Sequence, residues 1–305
     1  MNTIRCKVSN VNRIPCFCFT YATSFPKHTK EKGVVFMPEL PEMETYRSLL
    51  SERIVGKTIT GIEVNREKSI NVSPNQFIQE LQGNTITLIN RRAKHLIFQL
   101  NSGKSLVLHL MLGGWMYLGN DEDNPDRTKQ IILSFGTEKL YFIGLRLGFL
   151  HLHKTDELSN VFHDLGPEPL DSSFTFETFQ EVFMEKRGMI KTTLVNQEVI
   201  AGIGNCYSDE ICFEAMIKPI RKFDELGSTE FQSLFNGMKT VFHRAIEAGG
   251  YMDHPLFKND QKTGGYGEVC RVYDREGESC LRCQTAIIKE SISSRKTFYC
   301  PNCQK

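Results

Sequence analysis

Four cysteines near the end of the chain form two closely spaced pairs. Two residues separate Cys280 from Cys283 and Cys300 from Cys303, and sixteen residues lie between the pairs. The two thiolates of a CxxC pair can bind one metal ion, and two pairs at this spacing are typical of a four-cysteine zinc ribbon. Four protein ligands leave no open coordination position, so this pattern predicts one structural Zn²⁺ and not a catalytic metal.

The overall composition is that of an ordinary globular protein. The chain has 305 residues, of which 40% are hydrophobic and 24% charged, and its net charge is +1. This length suits roughly two domains. The charge balance alone does not indicate a nucleic-acid partner, although local basic clusters could contact phosphates or simply be solvated surface. No apolar run approaches the ~20 residues of a membrane span, so we expect no membrane association.

The first 36 residues differ from the rest of the chain. Residues 1–30 contain basic residues and three cysteines but no Asp or Glu, and they show no helical or strand period. A mis-called start is the favoured explanation, because Lys32-Gly33-Val34 can be encoded by a purine-rich tract like a bacterial ribosome-binding site. A targeting peptide, which is typically basic and poor in acids, is the alternative. In either case we expect residues 1–36 to be disordered and unrelated to the fold.

The next 120 or so residues, about 37–160, predict a helix followed by several short strands. An apolar stripe at Met43, Tyr46, Leu50 and Ile54 indicates a helix that ends near Gly56. Strand-like runs separated by turn residues follow at 58–64, 85–100, 106–118, 130–135 and 139–153. Short strands in such a succession favour a β-sandwich.

The second half of the sequence predicts helices. Apolar faces recur at helical spacing over 176–183 and 231–246. Between them, Gly202 and Gly204 precede a helix that should begin at or just after Asn205. Small glycines let a backbone approach a phosphate, and a helix N-terminus favours an anion. A Gly-x-Gly turn by itself is mostly the geometry of a helix start.

A proline follows Met37 at the start of the first predicted helix. If the methionine were removed, Pro38 would carry a free secondary amine, and α-amino groups titrate near pH 7.7–8.0. Such an amine can attack a sugar C1′ and form an iminium adduct, with the adjacent Glu39 available for proton transfer. The alternative is ordinary helix-start chemistry, with proline and acidic residues in the first turn.

Taken together, these motifs resemble those of the Fpg/Nei family, the formamidopyrimidine-DNA glycosylases with AP lyase activity. The matching blocks, in the order of the family, are MPELPEMETYR at 37–47, RRAKHL at 91–96, HLMLGG at 109–114, LGPEP at 165–169, GIGNCY at 202–207 and the zinc ribbon. The resemblance implies an α+β multidomain fold over residues 37–305. Its expected parts are an N-terminal catalytic β-sandwich domain with flanking helices (37–160), a helix-two-turn-helix DNA-binding domain (161–253), a mobile lesion loop (254–268) and a zinc finger (269–305).

The resemblance also implies a function, base-excision repair of double-stranded DNA that contains damaged bases or abasic sites. Pro38 would attack C1′, Glu39 would move protons, and Lys94 and Arg295 would bind phosphates and assist β- and δ-elimination. Leu112 would be the apolar wedge that opens the base stack. The further DNA-binding positions are Arg146, Arg187, Lys191 and Asn205. We expect a monomer located with the bacterial nucleoid in the cytoplasm.

One block departs from the family pattern. Where the family has Asp-Pro-Arg-Arg-Phe-Gly, this chain has residues 143–148, with Leu145 in place of the arginine that reads cytosine and Leu147 in place of the aromatic wedge. Loss of a bidentate base contact typically costs ~1–3 kcal/mol of discrimination, so the usual opposite-base preference is in question. A non-catalytic binder of damaged or distorted DNA is therefore the alternative. Retention of Pro38 and Lys94 favours an enzyme, because a binder needs no N-terminal amine.

Overall fold

Residues 37–305 are the part of the chain that this computed structural model describes; the expectations for residues 1–36 lie outside it. The helices are α1 Leu40–Ile54, α2 Pro74–Leu81, α3 Leu158–Val161, α4 Phe176–Phe183, α5 Ile190–Leu194, α6 Asn205–Glu214 and α7 Ser228–Glu247. The strands are β1 Gly61–Val64, β2 Ile86–Arg92, β3 His95–Leu100, β4 Lys104–His109, β5 Trp115–Gly119, β6 Lys129–Phe135, β7 Glu138–Ile143, β8 Phe149–Lys154, β9 Ile288–Ile292 and β10 Arg295–Tyr299. Over residues 37–305, no helix has both the length and the apolar character needed to cross a membrane.

The strands before residue 155 form two four-stranded antiparallel sheets. Their orders are β1-β6-β7-β5 and β2-β3-β4-β8. Alternate side chains of both sheets enter one apolar core, which the α1 residues Met43, Tyr46, Leu50 and Ile54 join. The predicted α+β fold with a β-sandwich and a flanking helix is therefore confirmed.

Three of the predicted strand runs contain two strands each. Residues 85–100 form the hairpin β2–β3, residues 106–118 include most of β4 and the first part of β5, and residues 139–153 include nearly all of β7 and β8. Left-handed residues turn the chain in each case: Ala93 has φ +53°, Gly113 has φ +79° and Gly144 has φ +72°. Helix α2 was not predicted; the Ser73 hydroxyl caps it by accepting from the Gln76 N–H at 3.3 Å.

The helices after residue 175 pack around an aromatic core. The face predicted for α4 is buried through Phe179 and Phe183, and the Phe179 ring packs against Phe231 and Phe235 of α7. Helix α7 ends before Gly249 and Gly250, which are both left-handed. The last element is the antiparallel hairpin β9–β10, which carries the second cysteine pair at its end.

Candidate active site

A cleft of about 320 Å³ opens between the β2–β3 turn, the start of α6 and the β9–β10 hairpin. Its lining residues are Met37, Ala93, Lys94, His95, His109, Met111, Leu165, Val195, Gln197, Gly204, Asn205 and Arg295. Three predicted site residues, Lys94, Asn205 and Arg295, thus share one cleft with Met37. Pro38 is buried next to Met37. Residues that are far apart in the sequence therefore meet at the predicted nucleophile.

Glu39 is buried against the first turn of α6. Its carboxylate accepts the N–H groups of Gly204 at 2.6 Å, Cys206 at 2.9 Å and Tyr207 at 3.4 Å. A Cβ at position 204 would lie 2.4 Å from the Glu39 Cδ, so only glycine allows this approach. The helix N-terminus favours the carboxylate anion. Burial nevertheless raises the pKa of Glu39, with Lys94 and the α6 donors opposing the rise. Glu39 is therefore a fixed carboxyl that can gain a proton more readily than a surface glutamate.

Glu42 is a second buried carboxyl one turn along α1. It accepts the Glu39 N–H at 2.8 Å, the Tyr207 hydroxyl at 2.5 Å and the Tyr251 N–H at 2.8 Å. Burial and the charge of Glu39 raise the pKa of Glu42 to about 7. Gly250 has φ +76°, and a Cβ there would lie 2.4 Å from the Glu42 Oε1. Glu42 thus ties the beginning of α1 to the chain after α7. The sequence indicated only that this acid suits the first turn of the helix.

Lys94 occupies the two-residue turn between β2 and β3. Glu168 supports this turn by accepting the Ala93 N–H at 2.8 Å and pairing with Arg91 at 2.9 Å. Burial lowers the pKa of Lys94; Glu39 and Glu42 oppose this change, while Arg295 adds to it. Lys94 is therefore a cleft lysine that loses its proton more easily than a solvated one.

The four cysteines meet at one point of the C-terminal hairpin. Their sulfur atoms all lie within 4.8 Å of one another, with Cys280–Cys303 at 3.8 Å and Cys283–Cys300 at 3.5 Å. Tetrahedral zinc with Zn–S bonds of ~2.3 Å requires S–S separations of ~3.8 Å, so the residues fit the ion. The chain has one structural zinc site here, as the spacing predicted. Arg295, at the exposed start of β10, is presented to the cleft by this hairpin.

Helix α6 connects several parts of the molecule through buried acids. Asp209 pairs with Lys191 at 2.7 Å and accepts the Phe298 N–H of β10 at 3.0 Å. Glu210 accepts the backbone N–H groups of residues 271–273 at 2.9–3.0 Å. Sequence reasoning missed both roles. The available signal was a pair of adjacent acids followed directly by the apolar residues Ile211, Cys212 and Phe213.

The position of Lys191 does not agree with the predicted phosphate contact. Its side chain is completely buried, and the ammonium donates to Asp209 and to the Asn205 carbonyl, both at 2.7 Å. A cation held inside the protein cannot meet a phosphate, so its role here is structural. Arg187 is 82% exposed and lies 3.5 Å from Asp224, outside the cleft lining.

Two loops of the sandwich present exposed leucines. Leu112 is 50% exposed and Leu147 is 62% exposed. The loops touch, because a Cβ on Gly144 would lie 1.9 Å from the Gly113 carbonyl oxygen. Arg146 is exposed as well. Leu145, by contrast, is buried in the sandwich core, so this position presents no side chain to a partner.

Comparisons with known proteins agree with this geometry. Residues 37–149 match the formamidopyrimidine-DNA glycosylase N-terminal domain, 165–254 the H2TH domain of the same enzymes, and 277–305 a zinc finger found in FPG and IleRS. The formamidopyrimidine-DNA glycosylase of Carboxydothermus hydrogenoformans is 33% identical over 88% of this chain and 100% of its own. The enzyme of that name from Rickettsia africae is 35% identical over 88% and 99%.

Two solved structures of Lactococcus lactis Fpg are similar over the same share of the chain. The complex of the wild-type protein with DNA containing N7-benzyl-Fapy-dG has a TM-score of 0.82 at 32% identity, covering 88% of this chain and 100% of that one. The complex with DNA containing an abasic site has a TM-score of 0.82 at 31% identity, covering 88% and 99%. With family models, relatives and structures in agreement, this chain belongs to the formamidopyrimidine-DNA glycosylase family.

Proposed function

We propose that this chain carries out the reaction of its family, excision of an oxidised base from double-stranded DNA followed by cleavage at the abasic site. The observation that carries this proposal is the cleft in which the Met37–Pro38 junction meets Lys94, Asn205 and Arg295. The relatives above carry the name of this activity, and the similar Lactococcus complexes hold damaged or abasic DNA.

The chemistry begins at Pro38, once its nitrogen is a free secondary amine. The nitrogen lone pair bonds to C1′, the bond from C1′ to the damaged base breaks, and the base leaves with a proton. Opening of the C1′–O4′ bond gives the iminium, and O4′ takes a proton that we assign to Glu39. The buried position of Glu39 supports this role, because burial raises its pKa.

The strand is then cut by elimination. The positive iminium makes the C2′ proton acidic, and its loss expels the 3′ phosphate in β-elimination. Expulsion of the 5′ phosphate follows in δ-elimination. We assign charge stabilisation at these phosphates to Arg295 and Lys94, which face the same cleft. Lys94 can also exchange a proton, because burial lowers its pKa.

The duplex would lie across the cleft and the leucine loops. Asn205, Arg187 and Arg146 are our candidates for backbone contacts, and Leu112 for the wedge that opens the stack, with Leu147 beside it. Base eversion costs a few kcal/mol and is cheapest at damaged pairs.

We assign catalysis to residues 37–160, DNA binding to 161–253, cover of the everted base to 254–268 and phosphate binding to 269–305. Because one chain supplies the whole cleft, we propose a monomer acting at the bacterial nucleoid.

Borohydride trapping separates this enzyme from a non-catalytic DNA binder. A chain beginning at Pro38 should form a covalent adduct with duplex DNA that contains an aldehydic abasic site, because borohydride reduces the iminium to a stable amine. The matched control is the same duplex after prior reduction of its aldehyde, which should bind but not trap. Normal binding with no adduct on the aldehydic duplex would favour the binder.

Selectivity for the base opposite the lesion should be weak. Leu145 is buried and has no donor or acceptor for a base edge. An arginine reader at this position would discriminate by ~1–3 kcal/mol, whereas phosphate contacts carry little sequence information. For one abasic-site analogue opposite each of the four bases, we expect affinities within about tenfold, or ~1.4 kcal/mol. A cytosine preference of about a hundredfold would show that another residue reads the base. The exposed Arg146 would be tested first, with the variant Arg146→Ala.

A further inference from the structure

The hydroxyl of Tyr251 lies beside the bond at which we place the chemistry. It donates a hydrogen bond of 2.8 Å to the carbonyl oxygen of Met37, whose carbonyl carbon is bonded to the Pro38 nitrogen. The oxygen and nitrogen of one planar peptide group are ~2.3 Å apart. The Tyr251 hydroxyl is therefore within about 5 Å of the Pro38 nitrogen.

Several contacts hold Tyr251 in this position. Its side chain is 4% exposed, and its backbone N–H donates to Glu42 at 2.8 Å. Its ring packs edge-on against Tyr207 and Tyr273, with centroids 5.7 Å and 5.9 Å away. Glu42 also accepts the N–H of Glu39, so one carboxylate holds both the residue after Pro38 and Tyr251. These ring and backbone contacts do not involve Met37.

The Met37 carbonyl shows where the sugar would sit. In this chain the Pro38 nitrogen is bonded to the Met37 carbonyl carbon, and in the covalent intermediate it would be bonded to C1′. An amide nitrogen is planar, and the amine nitrogen becomes planar as the C1′–oxygen bond breaks to form the iminium, so in that step C1′ takes the place of the carbonyl carbon. The Met37 oxygen then stands in for the oxygen that C1′ carries after the amine has added to an abasic-site aldehyde.

We propose that Tyr251 is a catalytic residue of the abasic-site reaction, donating a hydrogen bond to the oxygen on C1′ of the opened sugar. This proposal rests on the proposed role of Pro38. When the amine adds, the nitrogen–C1′ bond forms, the C1′=O double bond becomes a single bond, and the amine proton ends on that oxygen. The C1′–O bond then breaks, the oxygen takes one further proton from the solvent and leaves as water, and the iminium remains.

Tyr251 keeps its own proton throughout these steps. Burial and the nearby Glu39 raise the pKa of Tyr251 well above 10, so the phenol remains a neutral donor. A donor already aimed at an oxygen that gains negative charge stabilises the transition state without reorganisation. The Glu39 oxygens already accept from the start of α6, which leaves the phenol as a separate donor at C1′.

The test compares Tyr251→Phe with the unaltered sequence, both in chains that begin at Pro38. Tyr273→Phe, which removes a hydroxyl from the neighbouring ring, is the matched control. Two quantities are measured: the single-turnover rate of borohydride trapping on an aldehydic abasic site, and the affinity for a duplex with a tetrahydrofuran analogue. The analogue has no exocyclic oxygen on C1′, so its binding reports on structure and not on the proposed hydrogen bond.

We expect Tyr251→Phe to slow trapping by about 100-fold, as for loss of one preorganised donor, with analogue affinity within about twofold. Tyr273→Phe should leave both quantities within about twofold. Trapping by Tyr251→Phe at the unaltered rate would overturn the assignment, and so would equal losses of trapping and analogue affinity. If the unaltered chain does not trap, the proposed function itself fails. If the unaltered chain traps and Tyr251→Phe traps equally fast, only the role of Tyr251 fails.

Discussion

A chain that keeps residues 1–37 ahead of Pro38 should form no trapped adduct through Pro38, whereas a chain that begins at Pro38 should trap readily. An amide nitrogen shares its lone pair with the carbonyl and is not nucleophilic. A free α-amine with a pKa of 7.7–8.0 is roughly one-tenth neutral at pH 7. The trapping rate should therefore rise about tenfold per pH unit below that pKa and level off above it. Met37 also lines the cleft that the sugar would enter.

Digestion of the trapped complex and mass spectrometry locate the adduct. For the chain beginning at Pro38, the sugar remnant should be on the first peptide. A chain beginning at Met37 is the closest control, because it differs by one residue and carries a primary amine displaced from Pro38. Should the extended chain trap at a comparable rate, with the remnant on another residue such as Lys94, the nucleophile is not Pro38.

Cys300→Ser should abolish zinc binding and with it most of the affinity for damaged duplex. Cys300 is completely buried, and its sulfur is 3.5 Å from that of Cys283. Structural zinc contributes ~10–16 kcal/mol of apparent binding energy in small zinc domains, so loss of a ligand should unfold the hairpin. Arg295 would then no longer be held at the cleft. Metal analysis of the purified protein and DNA titration measure the two effects.

Arg295→Gln separates the hairpin from the charge that it carries. This variant should keep one zinc per chain and bind damaged duplex more weakly than the unaltered protein. The slope of log affinity against log salt concentration should become about one unit shallower, as for the loss of one phosphate contact. Normal duplex binding by Cys300→Ser would show that the hairpin does not contact DNA. Retention of stoichiometric zinc by that variant would contradict the four-sulfur site.

Elements with a strong local signal were predictable from the sequence. The stripe Met43, Tyr46, Leu50 and Ile54 is buried in α1, because a helix repeats its inner face every 3.6 residues. The cysteine spacing specified the metal site, because ligand geometry constrains short loops. Strand runs were less well resolved, since turns such as Ala93-Lys94 use residues that also occur in strands.

Sequence patterns could not predict which charged side chains pair with residues far away in the chain. Lys191 had the same local appearance as a surface lysine, but tertiary packing buries it against Asp209. Glu42 and Glu210 likewise resemble exposed helix acids, and their partners lie 209 residues away at Tyr251 and 61 residues away at Arg271. Burial of a charge depends on which segments meet, and periodicity within one segment does not contain that information.

The hydrogen bonds of Glu39 determine how late in protein synthesis the groups around Pro38 can come together. Its three donors are 165 to 168 residues later in the chain. Arg295 follows later still. Contacts of such sequence separation form slowly, because a long loop must close before they contribute. During synthesis, Pro38 and Lys94 leave the ribosome long before Gly204 and Arg295 exist. The nascent sandwich therefore carries the proposed nucleophile without its supporting groups, and we expect catalysis to begin only when nearly the whole protein has folded.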